Sequence, residues 1–128
     1  MQGCFLVAKD VPCFNEKIEA WDFGPVVPEA YREYKIYGAT NIPRITRYLS
    51  FINGTSFGIR FVDYKDNVIE DDDKTMIEEV VDSLSGISAL GLVDYTHQQD
   101  PWKNAYSKGK NTEITLESIK ECFKQYEN

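Results

Sequence analysis

The sequence predicts a mainly α fold with a small β element, an α+β domain of four to five helices spanning residues 1–128. Apolar residues recur at helical spacing in Pro28–Gly38, Thr75–Gly86 and Thr115–Tyr126. Alternation of period two is confined to Glu16–Asp22 and Phe57–Val62. No internal repeat or low-complexity linker divides the chain, and a chain of this length favours one domain.

The first nine residues read as the end of a helix. Phe5, Leu6 and Ala8 are apolar and no capping residue precedes them, so the domain is expected to be truncated at its N-terminus. Asp10-Val11-Pro12 breaks the pattern. If Glu16–Asp22 is extended, Ile18, Ala20 and Asp22 share one side and Trp21 the other. Gly24-Pro25 reads as a turn. Pro28 suits the first helical position, Glu29 the positive end of the dipole, and Gly38 the stop.

Thr40–Ile52 is ambiguous. Ile45, Tyr48, Leu49 and Ile52 fit a helical stripe, which Pro43 and the threonines weaken. Phe57, Ile59 and Phe61 then alternate into a half-buried strand, which Lys65-Asp66-Asn67 would turn towards Val68-Ile69. The acidic run Glu70–Asp73 precedes a stripe of Met76, Ile77, Val80, Val81 and Leu84, with Thr75 and Glu78 spaced for a capping box. Ser88 can cap Ala89–His97, and Pro101 interrupts that helix and starts a turn bearing Trp102, Ala105 and Tyr106. Ser107–Asn111 is a polar loop, and Thr115 caps a final helix carrying Leu116, Ile119, Phe123 and Tyr126.

The net charge of −7 is a poor match for a nucleic acid, whose affinity rests on phosphate neutralisation. It better suits a basic protein partner. Basic residues gather only loosely at Arg32, Lys35, Arg44, Arg47 and Arg60, as solvated faces do. Three cysteines with no close pairing fit a reducing cytoplasm and a core role, without a zinc spacing. The apolar run Cys4–Ala8 is too short for a signal segment or a membrane span. Asn53-Gly54-Thr55, although a sequon, reads there as a turn. The acidic run Glu70–Asp73 lacks the order of a calcium loop.

The only histidine, His97, lies in VDYTHQQDPWKNAY (Val93–Tyr106). A general base there could be oriented by Asp94 or Asp100 and paired with a distant Cys4, Cys13 or serine. No nucleophile elbow, phosphate loop or HExxH pattern supports this. A metal at His97 has only unspecific spacing behind it. A histidine hydrogen-bonded at a helix end beside Pro101 and Trp102 is the favoured reading, followed by an exposed recognition patch. Trp21 and Trp102 read in the same way, as packed indoles whose N–H finds a partner.

Two segments together carry a resemblance. The first holds Ala20, Trp21, Gly24, Pro25, Val26 and Tyr31; the second holds Thr96, His97, Pro101, Trp102 and Ala105; the last helix adds Ile119 and Phe123. In order and spacing they resemble the Panacea domain family, phage-associated and formerly uncharacterised, over most of the chain except Thr40–Asn67. Family members usually begin with a further helical segment leading into the equivalent of Gln2-Gly3. Its lack here would leave an apolar groove open, through which the chain could associate with itself or with another protein. The resemblance implies an antitoxin-like protein of bacteria and their phages, cytoplasmic and non-enzymatic. Such a protein neutralises a cognate toxin encoded beside it by direct contact, and no catalytic residue, metal or cofactor is carried over. The motif residues would then be structural or partner-binding. The alternative reading is a small hydrolase or transferase centred on His97. A nucleic-acid-binding regulator is a third reading, which the charge disfavours.

Overall fold

A computed structural model of the chain describes residues 1–51, 58–65 and 68–126. The α+β class is as expected, with six short α-helices and two small antiparallel sheets among the described residues. The first sheet has β1 (Ile18–Trp21) at its centre. On one side β2 (Gly24–Val26) pairs Trp21 with Gly24 and Glu19 with Val26. On the other, β5 (Thr112–Ile114) pairs Ile18 with Ile114 and Ala20 with Thr112. Gly24-Pro25 is therefore a strand and not the expected turn, which falls one step earlier at Asp22-Phe23. Pro25 is tolerated because β2 is an edge strand and a missing ladder donor can face outward there.

Helix α1 (Gln2–Lys9) packs on α6 (Leu116–Lys124). Their approach is close enough that a Cβ at Gly3 would lie 2.3 Å from the Phe123 ring. Buried Gln2 fixes the chain after α1, its amide oxygen accepting from Cys13 N at 2.7 Å and Phe14 N at 3.3 Å. Its amide nitrogen donates to Phe14 O at 2.9 Å. Helix α2 (Pro28–Tyr34) starts with proline in its first turn, as expected, and continues as a short 3-10 helix to Tyr37.

Helix α3 (Asp71–Leu84) begins at the acidic run itself, with Glu70 as its N-cap. The expected capping box at Thr75 is absent because Asp71, Asp72 and Asp73 occupy the positive end of the dipole. The Thr75 hydroxyl instead donates back to Asp71 O at 3.0 Å. Helix α4 (Ala89–His97) has the expected Ser88 cap, which accepts from Gly91 N at 3.1 Å. The turn expected after Pro101 is a full helix, α5 (Asp100–Lys108), which accounts for the higher helix count. Thr115 caps α6 by accepting from Ser118 N at 3.2 Å.

The ambiguous segment before residue 52 forms β3 (Arg47–Phe51), paired with β4 (Ile59–Asp63), so the helical option there is corrected. Ile52, the sequon Asn53–Thr55, Phe57 and the turn at Asp66-Asn67 lie outside the described residues. The core sits against the first sheet, formed by Leu6, Ile18, Ala20, Ala105, Ile114 and Ile119. Phe14, Val27, Trp102, Tyr106 and Phe123 pack around it. Two ends of the sequence thus meet, with β1 between a neighbour in sequence and a strand from the C-terminal region.

Candidate functional site

The β1–β2 hairpin and the α4–α5 corner form one joint, built from both halves of the sequence pattern. Gly24 is buried with φ +120°, a backbone conformation that L side chains rarely adopt. A Cβ there would stand 2.8 Å from Thr96 Oγ1. The Thr96 hydroxyl is itself directed back into α4, donating to Leu92 O at 3.0 Å and Val93 O at 3.1 Å. Glycine therefore meets two requirements at once, an unusual φ and a close crossing of the threonine.

Trp102 closes the same joint from α5. Its indole Nε1 donates to Trp21 O at 2.9 Å, linking positions 81 residues apart. Its ring is sandwiched between His97 and Tyr106, with centroids 3.9 Å and 4.6 Å away and interplanar angles of 20° and 17°. The helical offset from Trp102 to Tyr106 places both rings on one face of α5. Pro101 is buried in the first turn of that helix, and Ala105 is buried against the core. A cleft of about 170 Å³ beside the joint is lined by Gly3, Pro25, Gln99, Pro101, Trp102 and Phe123.

The half-buried His97 has its Nε2 shielded from solvent without a hydrogen-bond partner among the described residues, which differs from the expected hydrogen-bonded helix-end histidine. Its contribution is the flat face of the ring against Trp102. Stacking of this kind is worth about 0.5–1.5 kcal/mol beyond burial, which offsets part of the roughly 1–3 kcal/mol cost of an unpaired buried nitrogen. Among the described residues no cluster of three or more His, Cys, Asp or Glu could hold a metal ion.

The outer side of the hairpin is different in character. Trp21 meets Tyr31 edge-on at 4.9 Å, and its Nε1 donates to Glu19 Oε2 at 2.7 Å. Phe23, at the turn, is 79% exposed. With Trp21, Val26, Tyr31 and Lys110 it lines a shallow depression of about 430 Å³. Asp22 beside it accepts from Tyr106 Oη at 2.7 Å and Lys110 Nζ at 3.3 Å. Those two hydrogen bonds hold its carboxyl below the usual carboxylate range, and the bond to Asp22 pushes the Tyr106 phenol up. The sequence placed Asp22 and Tyr106 only as members of predicted elements, without a role at this face, and did not single out Phe23 or Lys110. For Tyr106 a signal existed, its place one helical turn after Trp102.

The structure brings together Trp21, Gly24, Pro25, Thr96, His97, Pro101 and Trp102, with Ala105 beneath them. Val26 and Tyr31 belong to the outer face. Ile119 and Phe123 lie on α6, where Ile119 enters the core and Phe123 packs over Gly3.

The chain belongs to the antitoxin SocA-like, Panacea domain family, which matches residues 1–103. The match takes in the hairpin and the corner through Trp102, while Ala105 and α6 lie beyond it. Neither the curated proteins nor the solved structures yield a match. No helix among the described residues is long and apolar enough to cross a membrane.

Proposed function

We propose that this chain is a bacterial or phage antitoxin that works in the cytoplasm as a single domain and neutralises a toxin by binding it directly. Membership of an antitoxin-like family is the observation that carries this reading. The outer face of the hairpin offers the contact, because Phe23 stands 79% exposed beside the Trp21–Tyr31 pair. Aromatic anchors of this kind dominate binding energy when a partner desolvates them. Rim groups are supplied by Asp22 and Lys110, which already pair with each other. No catalytic step is part of the function, and the ring of His97 serves the stack on Trp102. Binding to nucleic acid is disfavoured by the net charge of −7.

The test is co-expression with the adjacent open reading frame. Growth should stop when that neighbour is expressed alone and recover with this chain, and the two proteins should copurify. Phe23→Ala, at an exposed turn, should leave the fold intact and weaken binding by about 2 kcal/mol, roughly thirtyfold. A toxic neighbour that this chain neither binds nor neutralises would sink the proposal.

A further inference from the structure

An apolar groove of about 420 Å³ lies between α2 and the segment that leads into β1. Its floor is Phe14, Val27, Ala30 and Tyr34. The floor is held from behind, since Phe14 and Val27 pack on the core. Buried Gln2 also fixes the Phe14 backbone, accepting from its N at 3.3 Å and donating to its O at 2.9 Å.

The rest of the lining is Glu16, Glu29 and Glu33, with no basic residue among the described ones. All three carboxylates are exposed, and none forms an ion pair among the described residues. Glu29 and Glu33 stand one turn apart on α2, a spacing at which like charges weaken a helix. Ala30 and Tyr34 repeat that spacing, so an acidic row and an apolar row run side by side. Bases on adjoining surfaces lie outside the groove. Lys17 pairs with Glu113 at 3.9 Å, Arg47 stands over the Phe61 ring at 5.5 Å, and Arg32 lines the next depression.

Shape and charge together select the occupant. An apolar floor under a rim of carboxylates fits a long side chain that ends in a cation, whose stem covers the floor while its head stays at the rim. Arginine fits better than lysine, because its planar guanidinium lies on aromatic faces and meets a carboxylate with two parallel N–H donors. Phe14 and Tyr34 supply the rings, Glu29 and Glu33 the carboxylates of one wall, and Glu16 that of the other. We infer that this groove binds an arginine side chain of a partner protein. It is a second recognition point, sharing no residue with the depression around Phe23, and its occupant need not be a toxin.

Titration of a capped leucine–arginine–leucine tripeptide into the isotope-labelled full chain, followed by amide chemical shifts, tests the inference. Shifts at Phe14, Glu16 and along Ala30–Tyr34 should saturate with a Kd of about 1 mM, and the leucine–glutamine–leucine counterpart should bind about tenfold more weakly. Glu29→Gln with Glu33→Gln keeps the shape of one wall and removes its charge, and should weaken the arginine peptide about tenfold without lowering the melting temperature. Glu16→Gln, outside any helix, tests the other wall and should weaken it about threefold. Raising salt from about 0.1 M to about 1 M should weaken it as well, since the screening length falls from about 10 Å to about 3 Å. No shifts at these residues up to about 10 mM peptide would overturn the inference. So would an equal response to both peptides, or an affinity that neither set of glutamine substitutions changes.

Discussion

Gly24→Ala tests whether the two motif halves are joined as described. Two separate effects add at that position. Alanine at φ +120° enters a region in which non-glycine residues are strained by about 1–3 kcal/mol. The new Cβ also stands 2.8 Å from Thr96 Oγ1, well inside ordinary van der Waals contact. Thr96 cannot rotate away freely, because its hydroxyl donates to Leu92 O and Val93 O at 3.0 and 3.1 Å. Giving up that hydrogen bonding costs about 1 kcal/mol. The expected loss is about 2–4 kcal/mol, a fall in melting temperature of roughly 10 °C for a chain of this size.

Urea unfolding followed by tryptophan fluorescence reads the joint directly, since Trp21 and Trp102 both lie in it. Thr96→Ala placed in the Gly24→Ala background should recover about 1 kcal/mol, the share due to the clash, and leave the backbone strain. The reasoning fails if Gly24→Ala loses less than about 0.5 kcal/mol, or if the two changes add within about 0.3 kcal/mol.

Trp102→Phe keeps an aromatic face for the stack but removes the donor to Trp21 O, and should lower stability by about 1–3 kcal/mol in the same urea assay. His97→Phe keeps the stack and deletes a buried nitrogen without a partner, so calorimetry should show stability unchanged or raised by about 1 kcal/mol; a large loss would mean that His97 has a polar role. Asp22, its carboxyl lowered by the bonds from Tyr106 and Lys110, contributes stability that is present above its ordinary value of 3.8 and lost as pH falls below it. Asp22→Asn should therefore flatten the acid limb of a melting-temperature profile. Tyr106 has the opposite sign: its raised phenol favours the fold below the ordinary value of 10.0, and that contribution fades as pH rises beyond it. Tyr106→Phe should remove this alkaline decline.

Most helices were legible from their apolar stripes or from caps such as Ser88 and Thr115, whereas α5 read only as a turn after Pro101 and the cap expected for α3 at Thr75 was misplaced. The short strands were not. Gly24–Val26 and Thr112–Ile114 span three residues each, too few for an alternation to register, and Gly-Pro carries a strong turn preference. In β3 the run Tyr48-Leu49 fits a helical stripe and a strand equally, and only pairing with Phe61 and Val62 selects the strand. The motif residues of the site were legible as residue types in order. Their mutual geometry was not, because the bond from Tyr106 to Asp22 spans 84 positions and depends on β1 being the central strand. The polar satisfaction expected at His97 failed for a related reason. The faces that Trp102 and Tyr106 offer in a single stack are set by the α4–α5 corner, and a sequence pattern contains no ring planes.

These contacts divide the motif by direction. Gly24, Thr96, Pro101, Trp102 and Ala105 point into the joint, whereas Tyr31 faces solvent with Phe23 beside the Trp21 ring. A two-residue turn held by a ladder on one side and an indole hydrogen bond beneath has little freedom left to lose. On the proposed reading, Phe23 is thus presented already ordered, and the inward residues act on the partner through it. Loosening the joint should then weaken binding even though no inward residue touches the toxin. Trp102→Phe, measured at a temperature where the variant is fully folded, should reduce affinity mainly through a slower association or a faster release of the same contact. An affinity equal to that of the unaltered chain would separate the two halves of the motif, leaving the joint to stability alone and the binding surface elsewhere.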